Sequence, residues 1–259
     1  MKDYQSFLPK HISQFLESAG ALTRFTGKFF KEAFTPPHEW KEIFKQCYNL
    51  GVKSLSLVGI SAFIIGMVLT IQAKPTMAEF GAVSFIPAMV SLSIIREIGP
   101  VLTALICAGK IGSGIGAELG SMKVTEQLDA MAVSGTRAFN YTVVTRVTAT
   151  TFMIPVLVFY ADIIGLMGSW FGMNIDSSMS LRLFLRQALG AVLFIDIVSA
   201  TVKSFFFGLA IGIVGCYKGY NATKGTVGVG KAANSAVVVA SLLVFILDMI
   251  AVQITQLFM

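Results

Sequence analysis

The chain has 259 residues, of which 55% are hydrophobic and only 13% are charged, and its formal net charge is +6. An ordinary soluble domain carries about 25% charged residues, so this composition argues against a soluble domain and predicts an all-α protein that crosses a membrane. The three cysteines lie far apart and both histidines lie in the N-terminal segment, which excludes a disulfide framework and a metal site of regular ligand spacing.

The N-terminal segment 11–34 places apolar side chains three and four residues apart, which is typical of an amphipathic helix. Because this helix directly precedes a membrane span, we expect it to lie on the cytoplasmic membrane surface, and packing against its own protein is the alternative. Thr35-Pro36-Pro37 ends the helix, and a second short helix over 38–50 leads into the first span. Residues 1–46 are thus predicted to form N-terminal interfacial helices, and residues 47–259 the transmembrane domain.

Five hydrophobic segments follow, each long enough to cross a bilayer as a helix, which takes about 20 apolar residues. The clearest segment, residues 54–73, contains 20 residues and no charge. The predicted spans cover residues 54–73, 84–109, 147–171, 189–216 and 233–257. Lysine and arginine concentrate in the first 53 residues and in the loops after spans two and four. The positive-inside rule therefore places the N-terminus in the cytoplasm and the C-terminus outside.

Small residues recur at every fourth position of the second span, at Ala104, Ala108, Gly112, Gly116 and Gly120. They share one helix face and predict close approach of another helix, as do shorter rows in spans four and five. The chain then turns polar, and we predict that residues 118–135 form a cytoplasmic helix. A membrane helix that leads into a surface helix is the layout that a transporter needs to pass force to a partner outside the bilayer.

Ionisable residues interrupt every predicted span except the first. A charge at mid-bilayer costs roughly 2.5–3.5 kcal/mol, so such groups are usually paired or face a cavity. We expect Lys203 to be neutralised by Asp248 or Glu97, and Asp196 lies two helical turns from Lys203 on the same face. Whether these groups only bridge helices or also contact a substrate stays open. The ionisable residues considered within these spans are Arg96, Glu97, Asp162, Asp196, Lys203 and Asp248.

Several segments together resemble one family of transporters. The stretch from Arg96 to Met131 fits the pattern RE-GPV-TAL---G--GS-IGAELG-M-VTEQLDAM, and shorter matches lie at 48–52, Lys203-Ser204, 219–222 and Asp248. The chain resembles the MlaE/YrbE permeases of MCE-type lipid ABC transporters. The resemblance covers about residues 45–255, and its boundaries are defined to within a few residues.

The resemblance implies a homodimer in the cell inner membrane, docked to a cytoplasmic ATPase that binds ATP and Mg²⁺, with a ring of MCE-domain protein on the outer side. It implies phospholipid transport between the inner membrane and the outer membrane or envelope, by a subunit without catalytic residues. A small regulatory subunit on the ATPase is a further expected partner, whereas the charge pattern gives no reason to expect nucleic acid. The implied intramembrane charge network is Arg96, Glu97, Lys203 and Asp248. The implied ATPase-coupling residues are Glu118, Met122, Glu126, Gln127, Asp129 and Met131.

A lipid cavity should be mostly apolar with few polar groups. We expect the outer half of the first span and the residues after it to line such a cavity, and the alternative is that this face meets bulk lipid. Arg96 would meet the lipid phosphate, because guanidinium matches phosphate oxygens. The expected lining is Met67, Leu69, Ile71, Met77 and Phe80.

Two other functions compete with lipid transport by an ABC permease. One is an ion-coupled secondary transporter that uses Glu97, Lys203 and Asp248, although such folds usually contain two internal repeats, into which five spans do not divide. The other is a structural scaffold for a membrane complex. A phosphate-loop function for residues 225–231 is disfavoured, because Ala232 replaces the required Ser or Thr and no strand precedes the loop.

Overall fold

The computed structural model describes residues 10–36, 39–175 and 179–257. Within these ranges the regular structure is helical, and five helical segments are long and apolar enough to cross a membrane. The spans, numbered one to five, cover Trp40–Glu79, Val83–Val124, Asn140–Met173, Phe194–Tyr220 and Thr226–Leu257. The chain is therefore a multi-pass, all-α membrane protein, as the hydrophobic segments predicted.

The spans are built from α-helices joined in places by short π-helical or 3₁₀ turns. In the described ranges the α-helices are α1 (Lys10–Ala33), α2 (Trp40–Leu50), α3 (Leu55–Glu79), α4 (Ile86–Ser93), α5 (Gly99–Cys107), α6 (Ser113–Val124), α7 (Gln127–Val133), α8 (Thr145–Met173), α9 (Leu181–Gly190), α10 (Phe194–Tyr220) and α11 (Thr226–Leu257). Consecutive spans run antiparallel. Helices α1, α2 and α7 therefore lie at one end of the bundle, called the α7 end, and α9 lies at the other, called the α9 end.

Span two is much longer than the predicted segment 84–109, because it continues to Val124. The predicted small-residue row explains the extension. A Cβ atom added to Gly116 would lie 3.2 Å from the Cα atom of Ala233 in α11, so the backbones of spans two and five approach closely. This helix contact continues beyond the hydrophobic stretch from which the span was predicted.

Span two is also not a regular α-helix, which the sequence pattern did not predict. A π-helical turn, Ile94–Ile98, separates α4 from α5. Pro100 follows within the first turn of α5, and proline lacks the amide hydrogen that would bond the carbonyl of Arg96. The wider π-turn accommodates this missing bond. It also carries Arg96 and Glu97, so the irregular turn positions both charged side chains.

Spans one and three pack through a second set of glycines that was not predicted. A Cβ atom added to Gly168 of α8 would collide with the backbone of Phe63 in α3, and one added to Gly66 would collide with the backbone of Gly165. Because membrane helices associate largely through such close packing, this contact fixes span one against the centre of the bundle.

Helix α1 confirms the predicted amphipathic helix and packs partly on its own protein. The ring of Phe25 lies 5.3 Å from that of Phe139 and 5.5 Å from that of Tyr217, and Phe29 is buried. Leu16 and Phe30, in contrast, are exposed. The packed side chains anchor the helix at the α7 end, and its position on a membrane surface stays a prediction.

Candidate functional site

Three spans converge on the buried ammonium group of Lys203, whose side chain is only 4% exposed. Lys203 lies in α10, and its Nζ atom donates to Glu97 Oε2 of span two at 2.9 Å and to Asp248 Oδ1 of α11 at 3.0 Å. We expected Lys203 to pair with either Glu97 or Asp248, and in the structure it pairs with both. We call Glu97, Lys203 and Asp248 the charge triad. With both acids ionised it carries a surplus negative charge.

Arg96 pairs elsewhere, although the resemblance grouped it with the charge triad. Its Nε atom lies 2.7 Å from Oδ1 of Asp196, whose side chain is fully buried. The other carboxylate oxygen of Asp196 accepts a hydrogen bond from the backbone N–H of Leu193 at the start of α10. Asp196 and Lys203 share a helix face but are neutralised separately, because each finds its counter-charge on a neighbouring span.

An apolar groove opens beside the charge triad, between α10 and α11. Its volume is about 440 Å³, and Lys203 is the charged residue among the described residues that line it. Two hydroxyl groups of the groove, those of Ser199 and Thr255, lie 2.7 Å apart and bond each other across the helices. The lining residues are Ile195, Val198, Ser199, Val202, Lys203, Phe206, Phe207, Leu247, Ile250, Ala251, Ile254 and Thr255.

The five residues expected to line a lipid cavity near the axis of a dimer do not line this groove, and their place in such a cavity stays a prediction. Leu69 and Met77 pack against a small apolar cluster around Ile86. Ile71 and Phe80 are exposed, and the backbone of Met67 lies against Gly172. Hydrophobicity alone does not distinguish a residue that faces lipid or a neighbouring helix from one that lines a cavity. The groove residues Ser199 and Phe206 could have been found from Lys203, because they lie on the same helix face.

At the α7 end, the predicted continuous helix 118–135 is interrupted, which corrects that prediction. Helix α6 ends at Val124, Glu126 adopts a left-handed conformation with φ 60°, and α7 begins at Gln127. The sharp turn lets α7 fold back, anchored by the buried Leu128. Left-handed backbone is unfavourable for residues other than glycine. Local hydrogen bonds support this turn: the amide of Glu126 donates to the carbonyl oxygen of Lys123 at 3.2 Å. The hydroxyl of Thr125 donates to the carbonyl oxygen of Ser121 at 2.8 Å.

The predicted coupling residues divide between a cavity and an exposed rim. Glu118, Met122 and Gln127 help line a polar cavity of about 490 Å³. Glu126 and Asp129 are exposed, Met131 is half-buried, and Asp129 accepts from Lys123 at 3.2 Å. The remaining lining residues, which sequence reasoning missed, are Glu42, Lys45, Ser121, Tyr141 and Arg146.

A buried arginine organises this cavity. The Arg146 side chain is 4% exposed, and its Nη2 atom lies 2.7 Å from Glu118 Oε1. Tyr141 donates its hydroxyl hydrogen to Glu42 at 3.3 Å and so links the cavity wall to α2. Helices α2, α6, α7 and α8 thus all contribute residues to one polar surface.

Comparison with known proteins identifies this arrangement. The family model described as permease MlaE matches residues 43–254. The chain belongs to the MlaE permease family. It is 37% identical over 241 residues to a probable ABC transporter permease protein of Rickettsia typhi, with 92% of each chain covered. It is 36% identical over 238 residues to a similarly described protein of Synechocystis, covering 91% of this chain and 89% of that one.

A third relative is the chloroplastic protein of Arabidopsis thaliana named Trigalactosyldiacylglycerol 1. It is 33% identical over 211 residues, which cover 82% of this chain and 60% of that protein. As a permease of the MlaE family, the chain is a membrane subunit of an ABC transporter, and a separate ATPase supplies the energy. The family assignment therefore disfavours an ion-driven secondary transporter.

Proposed function

We propose that this MlaE-family permease moves phospholipid between the inner membrane and the outer membrane or envelope. The observation that carries the proposal is the apolar groove between α10 and α11 beside a buried lysine. A phospholipid combines apolar chains with an anionic phosphate, and the groove combines an apolar wall with one ammonium group. The Arabidopsis relative, named after a galactolipid, supports a lipid as the substrate class.

A second copy of the chain would close the groove. Helix α11 presents large apolar side chains away from its own bundle, among them Leu242, Phe245 and Met249. We place the partner permease of a homodimer against this region, so that two grooves share one cavity. The lining would then come from spans four and five of both copies. Met67, Leu69, Ile71, Met77 and Phe80 have no assigned role in this arrangement.

The charge triad suits a site that changes shape. Lys203 bonds two acids from two different spans, so movement of one span leaves the ammonium group paired with the other acid. A buried charge without a partner is costly, and two alternative partners reduce that cost during transport.

We place the α7 end in the cytoplasm, because the basic segments lie there. The ATPase, with its ATP and Mg²⁺, would dock on α7 and on the polar cavity beside it, with Glu126 and Asp129 at the contact. An MCE-domain ring would sit over the α9 end, and a small regulatory subunit would bind the ATPase.

The test is a tryptophan substitution that fills the groove. Ala251→Trp places an indole among the lining residues, whereas the control Val156→Trp enlarges an exposed side chain of α8 outside the groove. In vesicles of phosphatidylglycerol, with the co-purified ATPase, we expect Ala251→Trp to lower lipid-stimulated ATP hydrolysis roughly tenfold, the effect of losing about 1.4 kcal/mol of lipid binding. The control should retain wild-type activity. Equal activity of the two variants would contradict a lipid site in the groove.

A further inference from the structure

A smaller crevice lies on the opposite face of α10 from the groove. It has a volume of about 150 Å³ and is bounded by α8, α9 and α10. Phe159 and Ile163 on its rim are exposed at the surface of the bundle, so the crevice opens sideways, where the membrane lies. The lining residues are Ile95, Pro155, Val158, Phe159, Asp162, Ile163, Leu166, Leu189, Ile197, Ala200, Thr201 and Ser204.

Asp162 differs from the two hydroxyl groups that line this crevice, because each hydroxyl has a hydrogen-bond partner and Oδ1 of Asp162 has none within the described residues. The hydroxyl groups of Thr201 and Ser204 each donate to a backbone carbonyl of their own helix at 2.7 Å. Asp162 lines the crevice and is only 7% exposed; its Oδ1 atom packs against the backbone of Gly99 and has no hydrogen-bond partner within the described residues. An ionised, unpaired carboxylate is strongly unfavourable at such a position. The neutral acid avoids this cost, and its O–H can donate to a molecule in the crevice that Asp162 lines.

Helix α9 brings two positive charges to the mouth of the same crevice. Arg182 and Arg186 are four residues apart and exposed, and Leu189, three residues after Arg186, lines the crevice. Residues at these spacings share one helix face. Neither arginine forms an ion pair with an acid in the part of the chain that the structure describes.

The position of α9 is fixed by the fold. Its other face buries Phe184 and Ala188, and the hydroxyl of Ser91 in α4 donates to the carbonyl oxygen of Ala188 at 2.8 Å. Basic residues are scarce at the α9 end, and Lys74 there already donates to the carbonyl oxygen of Met173. The fold thus fixes the helix that carries the two arginines, and their side chains stay exposed on its outer face.

We propose that this crevice binds one phospholipid molecule at the side of the permease, separate from the transport groove. The phosphate lies between Arg182 and Arg186, because guanidinium groups bind phosphate oxygens in a bidentate manner. One acyl chain fills the apolar crevice, and an ester carbonyl oxygen of the lipid accepts the hydrogen of Asp162. The bound lipid holds α9 against α8 and α10 and is not transported.

Photo-crosslinking tests the site in the intact complex with its ATPase. A photoreactive residue replaces Leu189 in the crevice or, as the matched control, Met167, which is exposed on the same α8 surface but does not line the crevice. The vesicles contain equal amounts of phosphatidylglycerol and phosphate-free digalactosyldiacylglycerol. At position 189 we expect phosphatidylglycerol to be captured in roughly tenfold excess, the ratio that one charge-assisted hydrogen bond supports. At position 167 we expect no preference.

Substitutions of the two arginines and of Asp162 then test the role of each side chain in lipid binding. The double variant Arg182→Gln/Arg186→Gln should abolish the preference at position 189. Asp162→Asn keeps a donor and should retain lipid capture, whereas Asp162→Leu should lower it. Equal labelling at positions 189 and 167, or a preference that survives the arginine substitutions, would overturn the proposal.

Addition of ATP should leave the capture unchanged, and release of the lipid on ATP hydrolysis would overturn its non-transported role. Ala251→Trp should not affect labelling at position 189. The proposal for the crevice and the proposal for the transport groove are therefore tested independently of each other.

Discussion

Replacing Lys203 by methionine tests whether the charge triad is a coupled unit. Methionine keeps a long apolar side chain at a position that is 4% exposed, so packing changes little while the ammonium group is removed. Glu97 and Asp248 then lose their shared counter-charge. The unfolding free energy should fall because buried carboxylates without a counter-charge are unfavourable.

The magnitude follows from the exposure of the two acids. Removing one partner of a fully buried ion pair costs about 3–5 kcal/mol. The side chain of Asp248 is 18% exposed and keeps most of this penalty, whereas that of Glu97 is 45% exposed and is partly solvated. We therefore expect Lys203→Met to cost about 3 kcal/mol, at the lower end of that range. Asp248→Asn should cost less, because Glu97 still pairs with Lys203.

The assay is a double-mutant cycle of unfolding free energies, measured by chemical denaturation in lipid–detergent bicelles. Lys203→Met combined with Asp248→Asn should cost less than the sum of the single substitutions, with a coupling of about 1 kcal/mol or more. The control Lys231→Met removes an exposed lysine and should change stability by less than about 0.5 kcal/mol. Strictly additive costs for Lys203 with both Asp248 and Glu97 would refute the coupled triad.

Two further predictions concern ATPase coupling and helix packing. Glu126→Lys/Asp129→Lys should leave the permease inserted but lower lipid-stimulated ATP hydrolysis, because both side chains are exposed at the proposed ATPase contact; unchanged hydrolysis in the purified complex would contradict that contact. Gly168→Ala should destabilise the protein by about 1–3 kcal/mol, because its new methyl group collides with the backbone of Phe63. Gly114→Ala, where nothing lies within 4 Å of the added atom, is the control in the same denaturation assay, and equal stability of the two variants would contradict the close packing of α3 and α8.

Local sequence features determined the membrane class of the protein and most of its helices. Twenty or so apolar residues must form a helix in a bilayer to satisfy their backbone groups, so the five spans could be predicted without any tertiary information. The small-residue row of the second span was predictable for a similar reason, because residues four apart always share a helix face. Lys203 was expected to pair with Glu97 or Asp248 from the cost of an isolated charge in a membrane.

Which groups meet across the bundle depended on contacts between distant segments. The pairing of Arg96 with Asp196, the extension of span two to Val124 and the close approach of Gly168 to Phe63 all depend on such contacts. None of them leaves a local periodic signal in the sequence.

The location of the candidate lipid site shows most clearly what the sequence alone could not predict. Many apolar segments of a membrane protein have similar composition, and composition alone favoured span one as the wall of a cavity. Only the packing of α10 against α11 decided that the described groove lies beside Lys203. A cavity is the space left between helices, so its location depends on tertiary geometry, whereas the existence of each helix depends on its own residues.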